Sequence, residues 1–258
     1  MPYPIAVQLY SLRDQTKDGN HVPIVKKVAD TGYKGVETAG LYGLKPREYR
    51  KLMDDHGLTI TSHHGGLPKK EEIADIGAMM RELGTPYYGV AWLPPERFAT
   101  TDSIKKVAED LEAAREILAK EKLTLFYHNH DFEFQRLDGK VKLEILAQLC
   151  PKLQFQIDTY WASNFGAEDP AKMVAQFKDR APLLHIKDGP MEKGKPMTAA
   201  GKGKQNFPAV FAAANPNVTK HVIVELDACG TDMMQAIVDS YHYLVGAGLA
   251  TGNKPAKK

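Results

Sequence analysis

Regularly spaced glycines constrain this chain's fold more than any other feature. Gly32, Gly57 and Gly84 each close a run of helical periodicity and precede a short apolar run, at an interval of about 25 residues. Glycine suits such positions because it enters the left-handed backbone region without a Cβ clash. Each interval therefore holds one helix, one turn and one strand. Ile5-Ala6-Val7-Gln8-Leu9-Tyr10 reads as a buried strand before the first unit, with a polar loop from Ser11 to Asn20. Val22, Ile24, Val25 and Val28 then fall at helical spacing, and Pro23 sits in the first turn, where its missing N–H costs nothing.

The same unit recurs to the end of the chain. Helices are predicted over Pro46 to His56, Lys69 to Leu83, Leu143 to Leu149, Pro170 to Phe177, Pro208 to Ala214 and Met233 to Leu244. The clearest amphipath follows Asp102: Ile104, Val107, Leu111, Ala114, Ile117 and Leu118 share one face. Arg136-Leu137-Asp138-Gly139-Lys140 reads as a tight turn, since Asp-Gly accepts positive φ. Strands are expected to start near residues 5, 34, 58, 86, 123, 153, 183 and 221. Eight strands alternating with helices predict an α/β fold, a parallel sheet closed into a (β/α)8 TIM barrel. An open doubly wound sheet is disfavoured because no Gly-x-Gly-x-x-Gly turn follows the first strand. The 258 residues suit one such barrel. We read residues 1–250 as a single domain and 251–258 as a disordered basic tail.

Composition narrows the function classes. The formal net charge of +2 gives no global bias towards nucleic acid or anionic membrane. No apolar run is long enough to span a bilayer, and the start lacks a charged-then-apolar signal, so a cytoplasmic enzyme is expected. Cys150 and Cys229 are too few for a disulfide framework and read as small hydrophobes. Neither nucleic acid nor membrane is an expected partner, and a homo-oligomer is compatible with the chain.

In a barrel of this kind, chemistry collects at the C-terminal ends of the strands. The residues there are Gln8 and Tyr10, Glu37, His63 and His64, Trp92, His128 and His130, Asp158, His185 with Lys187 and Asp188, and Glu225 with Asp227. Packing alone would not need ionisable groups at nearly every strand end. His128 and His130 lie in Tyr127-His128-Asn129-His130-Asp131-Phe132-Glu133-Phe134 and, by strand alternation, point the same way. His128, Asp158, His185 and Glu225 combine two imidazoles with two carboxylates and no thiolate, which suits one divalent ion: manganese foremost, or cobalt, iron or zinc. The alternative is an ion-pair ring with Lys187 held between Asp158 and Glu225.

The order of several motifs resembles the xylose isomerase-like TIM-barrel superfamily, in its sugar phosphate isomerase/epimerase branch. The motifs are Val7-Gln8-Leu9-Tyr10-Ser11-Leu12-Arg13, Gly35-Val36-Glu37, the Tyr127–Phe134 run, Asp158-Thr159-Tyr160-Trp161, His185-Ile186-Lys187-Asp188, Gly201-Lys202-Gly203 and Val224-Glu225. The resemblance implies one divalent metal held by Glu, Asp, His and Glu from strands five to eight. Asp158, His185 and Glu225 match, while His128 stands where relatives carry the first glutamate. Trp161 stands where ketose epimerases have a substrate-binding histidine.

These observations together lead to an expected chemistry. Glu225 abstracts the proton beside a sugar carbonyl, and isomerisation or epimerisation follows through an enediolate. Elimination from a keto-sugar or 3-keto-glycoside is the alternative outcome. Lys187 is expected as a fixed cation, and His130, Lys187 and His64 are candidates for the second acid/base. Gln8, Glu37, His64, Trp92 and Trp161 are expected to contact substrate. Gly201-Lys202-Gly203 with Lys193, Lys195 and Lys204 offers a candidate phosphate cradle. A non-catalytic sugar-binding barrel and an abasic-site endonuclease are the rival readings.

Overall fold

The computed structural model describes residues 2–257. Eight parallel strands form its centre: β1 Tyr3–Gln8, β2 Gly35–Ala39, β3 Thr59–Gly65, β4 Tyr87–Val90, β5 Thr124–His128, β6 Gln154–Asp158, β7 Leu183–Ile186 and β8 His221–Val224. The sheet closes where β1 pairs with β8, Ile5 opposite Val222 and Val7 opposite Val224. Eight α-helices pack outside: α1 His21–Thr31, α2 Pro46–Asp55, α3 Ile73–Leu83, α4 Thr101–Lys120, α5 Lys142–Leu149, α6 Pro170–Phe177, α7 Phe207–Ala213 and α8 Met233–Gly246. The chain is thus a single closed (β/α)8 barrel, as its periodicity predicts. No helix among the described residues is long and apolar enough to cross a membrane.

The expected punctuation has the expected geometry. Gly32 and Gly84 end α1 and α3 with φ of 119° and 77°. Asp138 and Gly139 take φ of 49° and 81° between two short paired segments, Arg136–Leu137 and Lys140–Val141.

Strand alternation divides each strand between two cores. Outward side chains such as Val7, Val36, Tyr127, Ile157 and Val224 join the large core beneath the helices. Inward side chains stack in layers. Ala6, Phe126, Leu183 and Ile223 make a buried apolar plug within the barrel. Phe126 reaches across β4, where Gly89 makes room: a Cβ there would lie 2.3 Å from the Phe126 ring. Two residues further along the same strands, the inward positions are Gln8, His128, His185 and Glu225. The polar layer therefore sits on an apolar plug, at the C-terminal end of the barrel.

A register shift in β3 sharpens this layer. Val36 faces Ile60, but Glu37 faces Ser62, so β3 carries one extra residue at that point. The bulge turns Ser62 and His64, rather than Thr61 and His63, towards Glu37.

The segment expected to be a disordered tail begins against the barrel. Ala250 and Thr251 pair in parallel with Tyr3 and Pro4 of β1. Asn253 donates its N–H to the Gly32 carbonyl at 2.7 Å, and Lys254 donates its N–H to Tyr241 Oη at 3.2 Å. A basic composition does not prevent ordering when the backbone finds an open strand edge to pair with. Lys258 lies outside the described residues.

Candidate active site

β5 to β8 bring His128, Asp158, His185 and Glu225 to one point. One donor atom from each lies within 4.8 Å of the others, and all four side chains are buried. Asp158 Oδ1 accepts the backbone N–H groups of Tyr160 and Trp161 at 3.0 and 2.9 Å. Its Oδ2 is buried and accepts no hydrogen bond of regular geometry, and the Lys187 ammonium lies 3.0 Å from it. Two imidazoles and two carboxylates with no thiolate, each offering a donor atom at this one point, form a set that fits a divalent ion.

The residues around these four fix their orientation. The Gln156 amide Nε2 donates to Glu37 Oε2 at 2.6 Å, which leaves its Oε1 as an acceptor for His128 Nδ1 at 3.0 Å and His64 Nε2 at 2.6 Å. His128 therefore carries its proton on Nδ1 and turns a bare Nε2 outward. His185 Nε2 donates to Glu37 Oε1 at 2.6 Å, while its Nδ1 faces Glu225 Oε2 at 2.8 Å. Asn129 clamps the Asp158 backbone, accepting its N–H at 3.0 Å and donating to its carbonyl at 3.3 Å. The buried Glu133 accepts the His130 N–H at 2.8 Å and the Tyr127 hydroxyl at 2.6 Å, holding the turn that carries His130. Burial pushes the Glu133 carboxyl up to about 8.

Lys187 is fully buried among carboxylates. Its Nζ lies 2.8 Å from Glu225 Oε2, 3.0 Å from Asp158 Oδ2 and 2.5 Å from Asp227 Oδ2. Burial alone would lower its pKa, but Asp158, Asp227 and Glu225 overcome that and hold it well above the usual value. The ion-pair ring and the four-residue donor cluster therefore share Asp158 and Glu225. Burial raises Glu225, yet Lys187 and His185 pull it well below the carboxylate range. Burial keeps His128 neutral, and burial with the nearby Lys187 charge lowers His130 to about 3. His185 rises to about 10: burial lowers it, and Glu37 and Glu225 reverse the effect.

A sequence profile described as the xylose isomerase-like TIM barrel matches residues 25–240. The chain belongs to this family. Among solved structures, this xylose isomerase-like barrel is similar to a sugar phosphate isomerase/epimerase from Parabacteroides distasonis, with TM-score 0.79 and 26% identity over 97% of this chain and 96% of that one. It also resembles a probable 3-DHS dehydratase from Bacillus anthracis, with TM-score 0.72 and 15% identity over 95% and 98% of the two chains. The IOLI protein, solved with a binding zinc atom, aligns with TM-score 0.73 and 12% identity over 94% and 97%. No curated protein matches.

The xylose isomerase-like barrel opens above the cluster into a cavity of about 640 Å³. His64, His128, His130 and Glu225 line it, with Tyr10, Trp92 and Asp227 towards the mouth. Trp92 is half-exposed and accessible to a ligand. Trp161 stands beside the centre, its ring 5.3 Å from Lys187 Nζ and stacked at 6.5 Å on His130.

Two residues expected to contact substrate do not line this cavity. Gln8 and Glu37 are fully buried. Gln8 Nε2 donates to Glu37 Oε1 at 2.7 Å, and Ser62 and Gln156 donate to Oε2. Burial raises Glu37, but His64 and His185 bring it down to about 2. Glu37 is thus the anion beneath the floor, oriented towards His185 rather than towards a ligand. Sequence reasoning missed Gln156, although it lies two residues before Asp158 and so shares its face.

The proposed phosphate cradle is also corrected. Asp188, buried in the same barrel, accepts the N–H groups of Gly189 and Gln205 on Oδ1 at 2.8 and 3.1 Å, and those of Gly201 and Gly203 on Oδ2 at 2.9 Å each. A side-chain carboxylate takes the place an external anion would fill. A Cβ on Gly203 would fall 2.1 Å from Asp188 Oδ1, so the loop closes only around glycine. Lys193, Lys195 and Lys204 are exposed, and Lys204 pairs with Glu192 at 3.4 Å.

Proposed function

We propose that this chain is a divalent-metal-dependent enzyme that moves a proton beside the carbonyl of a sugar or keto-sugar, in the isomerase/epimerase class. The convergence of His128, Asp158, His185 and Glu225 within 4.8 Å, on the floor of a cavity of about 640 Å³, carries the reading. These four would hold the ion, which when bound would supply Lewis-acid polarisation of the substrate's carbonyl and neighbouring hydroxyl. Manganese, cobalt, iron or zinc suits the set, manganese foremost.

Glu225 is the base. It lines the cavity, ionises readily, and takes the proton from the carbon beside the carbonyl. The Lys187 ammonium, fixed 2.8 Å from Glu225, steadies the negative charge that develops on the substrate oxygen. His130 is neutral and its buried Nδ1 has no partner, so it is free to hold or return a proton. Return to the opposite face of the same carbon gives an epimer, and return to the former carbonyl carbon gives an aldose–ketose isomer. If the substrate carries an oxygen substituent β to the carbonyl, the same abstraction ends in elimination. Glu225, now carrying the abstracted proton, hands it to the leaving oxygen, and the neutral His130 ring is placed to hydrogen-bond that oxygen. His64, Trp92 and Trp161 contact the sugar. The enzyme is a cytoplasmic one with a small carbohydrate partner, not nucleic acid or membrane, and a homo-oligomer is compatible with this role.

The test is incorporation of solvent deuterium. Protein loaded with one equivalent of Mn²⁺ is incubated in D₂O with free ketoses, aldoses and 3-keto-glycosides, and products are read by NMR. Deuterium beside the carbonyl of intact sugar supports isomerisation or epimerisation, and loss of a substituent supports elimination. Absence of stoichiometric divalent metal, with a melting temperature unchanged by chelator, overturns the reading.

A further inference from the structure

A second hollow of about 340 Å³ adjoins the cavity. Tyr160, Trp161 and Phe165 line it with Pro196 and Met197, while the charged Glu192 and Lys195 are exposed. Asp227 lines both hollows. Trp161 stands between them: it stacks on His130 and approaches Lys187 on the side of the reaction centre, and meets Phe165 edge-on at 5.9 Å.

The backbone holds this hollow open in an unusual way. Asn164 and Phe165 adopt φ of 43° and 55°, and Met191 adopts 55°. The left-handed region is costly for a bulky side chain, and such residues cluster at ligand clamps. The turn is closed by Glu168 N–H donating to the Ser163 carbonyl at 2.9 Å, and Met191 N–H donates to Tyr160 Oη at 3.0 Å. The result leaves Phe165 half-buried at the hollow's wall instead of in the core.

We infer that this hollow is an aglycone subsite: the enzyme takes glycosides whose sugar lies over the His128–Asp158–His185–Glu225 centre and whose aromatic aglycone lies against Trp161 and Phe165. An apolar, aromatic lining joined through one carboxylate to a polar cavity matches a ligand with a polyhydroxyl half and a flat apolar half. The inference rests on the sugar reading above. It also narrows that reading, because a glycosidic bond closes the anomeric carbon. The carbonyl must then lie elsewhere on the ring, which leaves epimerisation or elimination and removes aldose–ketose isomerisation.

Calorimetric titration of Mn²⁺-loaded protein with matched phenyl and methyl glycosides of glucose, galactose and xylose tests it. The phenyl member of a bound pair should bind about ten- to hundredfold tighter, as burial of one aromatic ring requires. Phe165→Gly, which suits a positive φ, should erase that preference and leave methyl glycoside affinity unchanged. Equal binding of phenyl and methyl members, or a preference that survives Phe165→Gly, overturns the subsite alone. Failure of every glycoside to bind overturns the subsite, while the sugar reading stands or falls by the deuterium exchange described above.

Discussion

Glu37 Oε1 lies 2.6 Å from His185 Nε2, and these residues are 148 positions apart in sequence. Neither atom faces the cavity. The bond turns the other imidazole nitrogen towards Asp158 and Glu225, and a carboxylate behind a ligating imidazole raises its basicity. Glu37→Gln should therefore weaken divalent-metal affinity by about 10–100-fold, with the helical circular dichroism signal retained. Competition with a fluorescent chelator measures it, and an unchanged affinity would show that Glu37 serves only packing.

Glu225→Gln keeps the shape of the side chain and removes the proposed base. Turnover should fall by about 10²–10⁴-fold. Deuterium exchange into substrate is the direct readout. A variant that still exchanges passes the proton-transfer role to His130 or Lys187.

Lys187→Met leaves Asp158, Glu225 and Asp227 without the ammonium they share. Removing one partner of a buried charge cluster typically costs about 3–5 kcal/mol, so the melting temperature in EDTA should drop markedly. A divalent ion can neutralise the same carboxylates. Added Mn²⁺ should thus raise the variant's melting temperature by more than it raises that of the unaltered protein, and an equal rise would count against a shared site.

Asp188→Ala strands the N–H groups of Gly189, Gly201, Gly203 and Gln205. Gly189 and Gln205 are buried, and each unmet buried amide costs about 1–3 kcal/mol, so the loop should open and all four amides should exchange faster by mass-resolved hydrogen exchange. The vacated ring of donors resembles an anion nest. Excess inorganic phosphate should slow exchange again in the variant and leave the unaltered protein unaffected.

His221 is mostly buried, and burial lowers it from 6.5 to about 4. The folded state thus prefers the neutral ring. Stability from this group is complete above pH 6.5 and declines towards pH 4 as the unfolded chain alone takes up the proton. The loss amounts to about 3 kcal/mol by linkage. Urea midpoints of the unaltered protein and His221→Asn, compared between pH 7 and pH 4, should converge as the pH falls. A constant separation would contradict the assignment.

Much of this molecule was legible in the linear chain because the signals are local. A glycine cap, an amphipathic turn or a strand's two-residue alternation involves only a few neighbouring positions, so barrel class, element order and inward-facing strand ends followed from Gly32, Gly84 and the apolar runs. His128, Asp158, His185 and Glu225 are likewise read from the chain as residues at successive strand ends, and the barrel brings a donor atom of each within 4.8 Å of the others. What the tertiary structure alone decided is which polar group meets which. The β3 bulge turns Ser62 and His64 towards Glu37, barrel closure carries Glu37 beneath His185, and a loop of 17 positions folds Gly201, Gly203 and Gln205 back onto Asp188. Carboxylates and amides carry no preference for a partner along the chain. Their pairing is set by which donors burial brings within hydrogen-bond reach, and burial here is fixed only when the barrel closes.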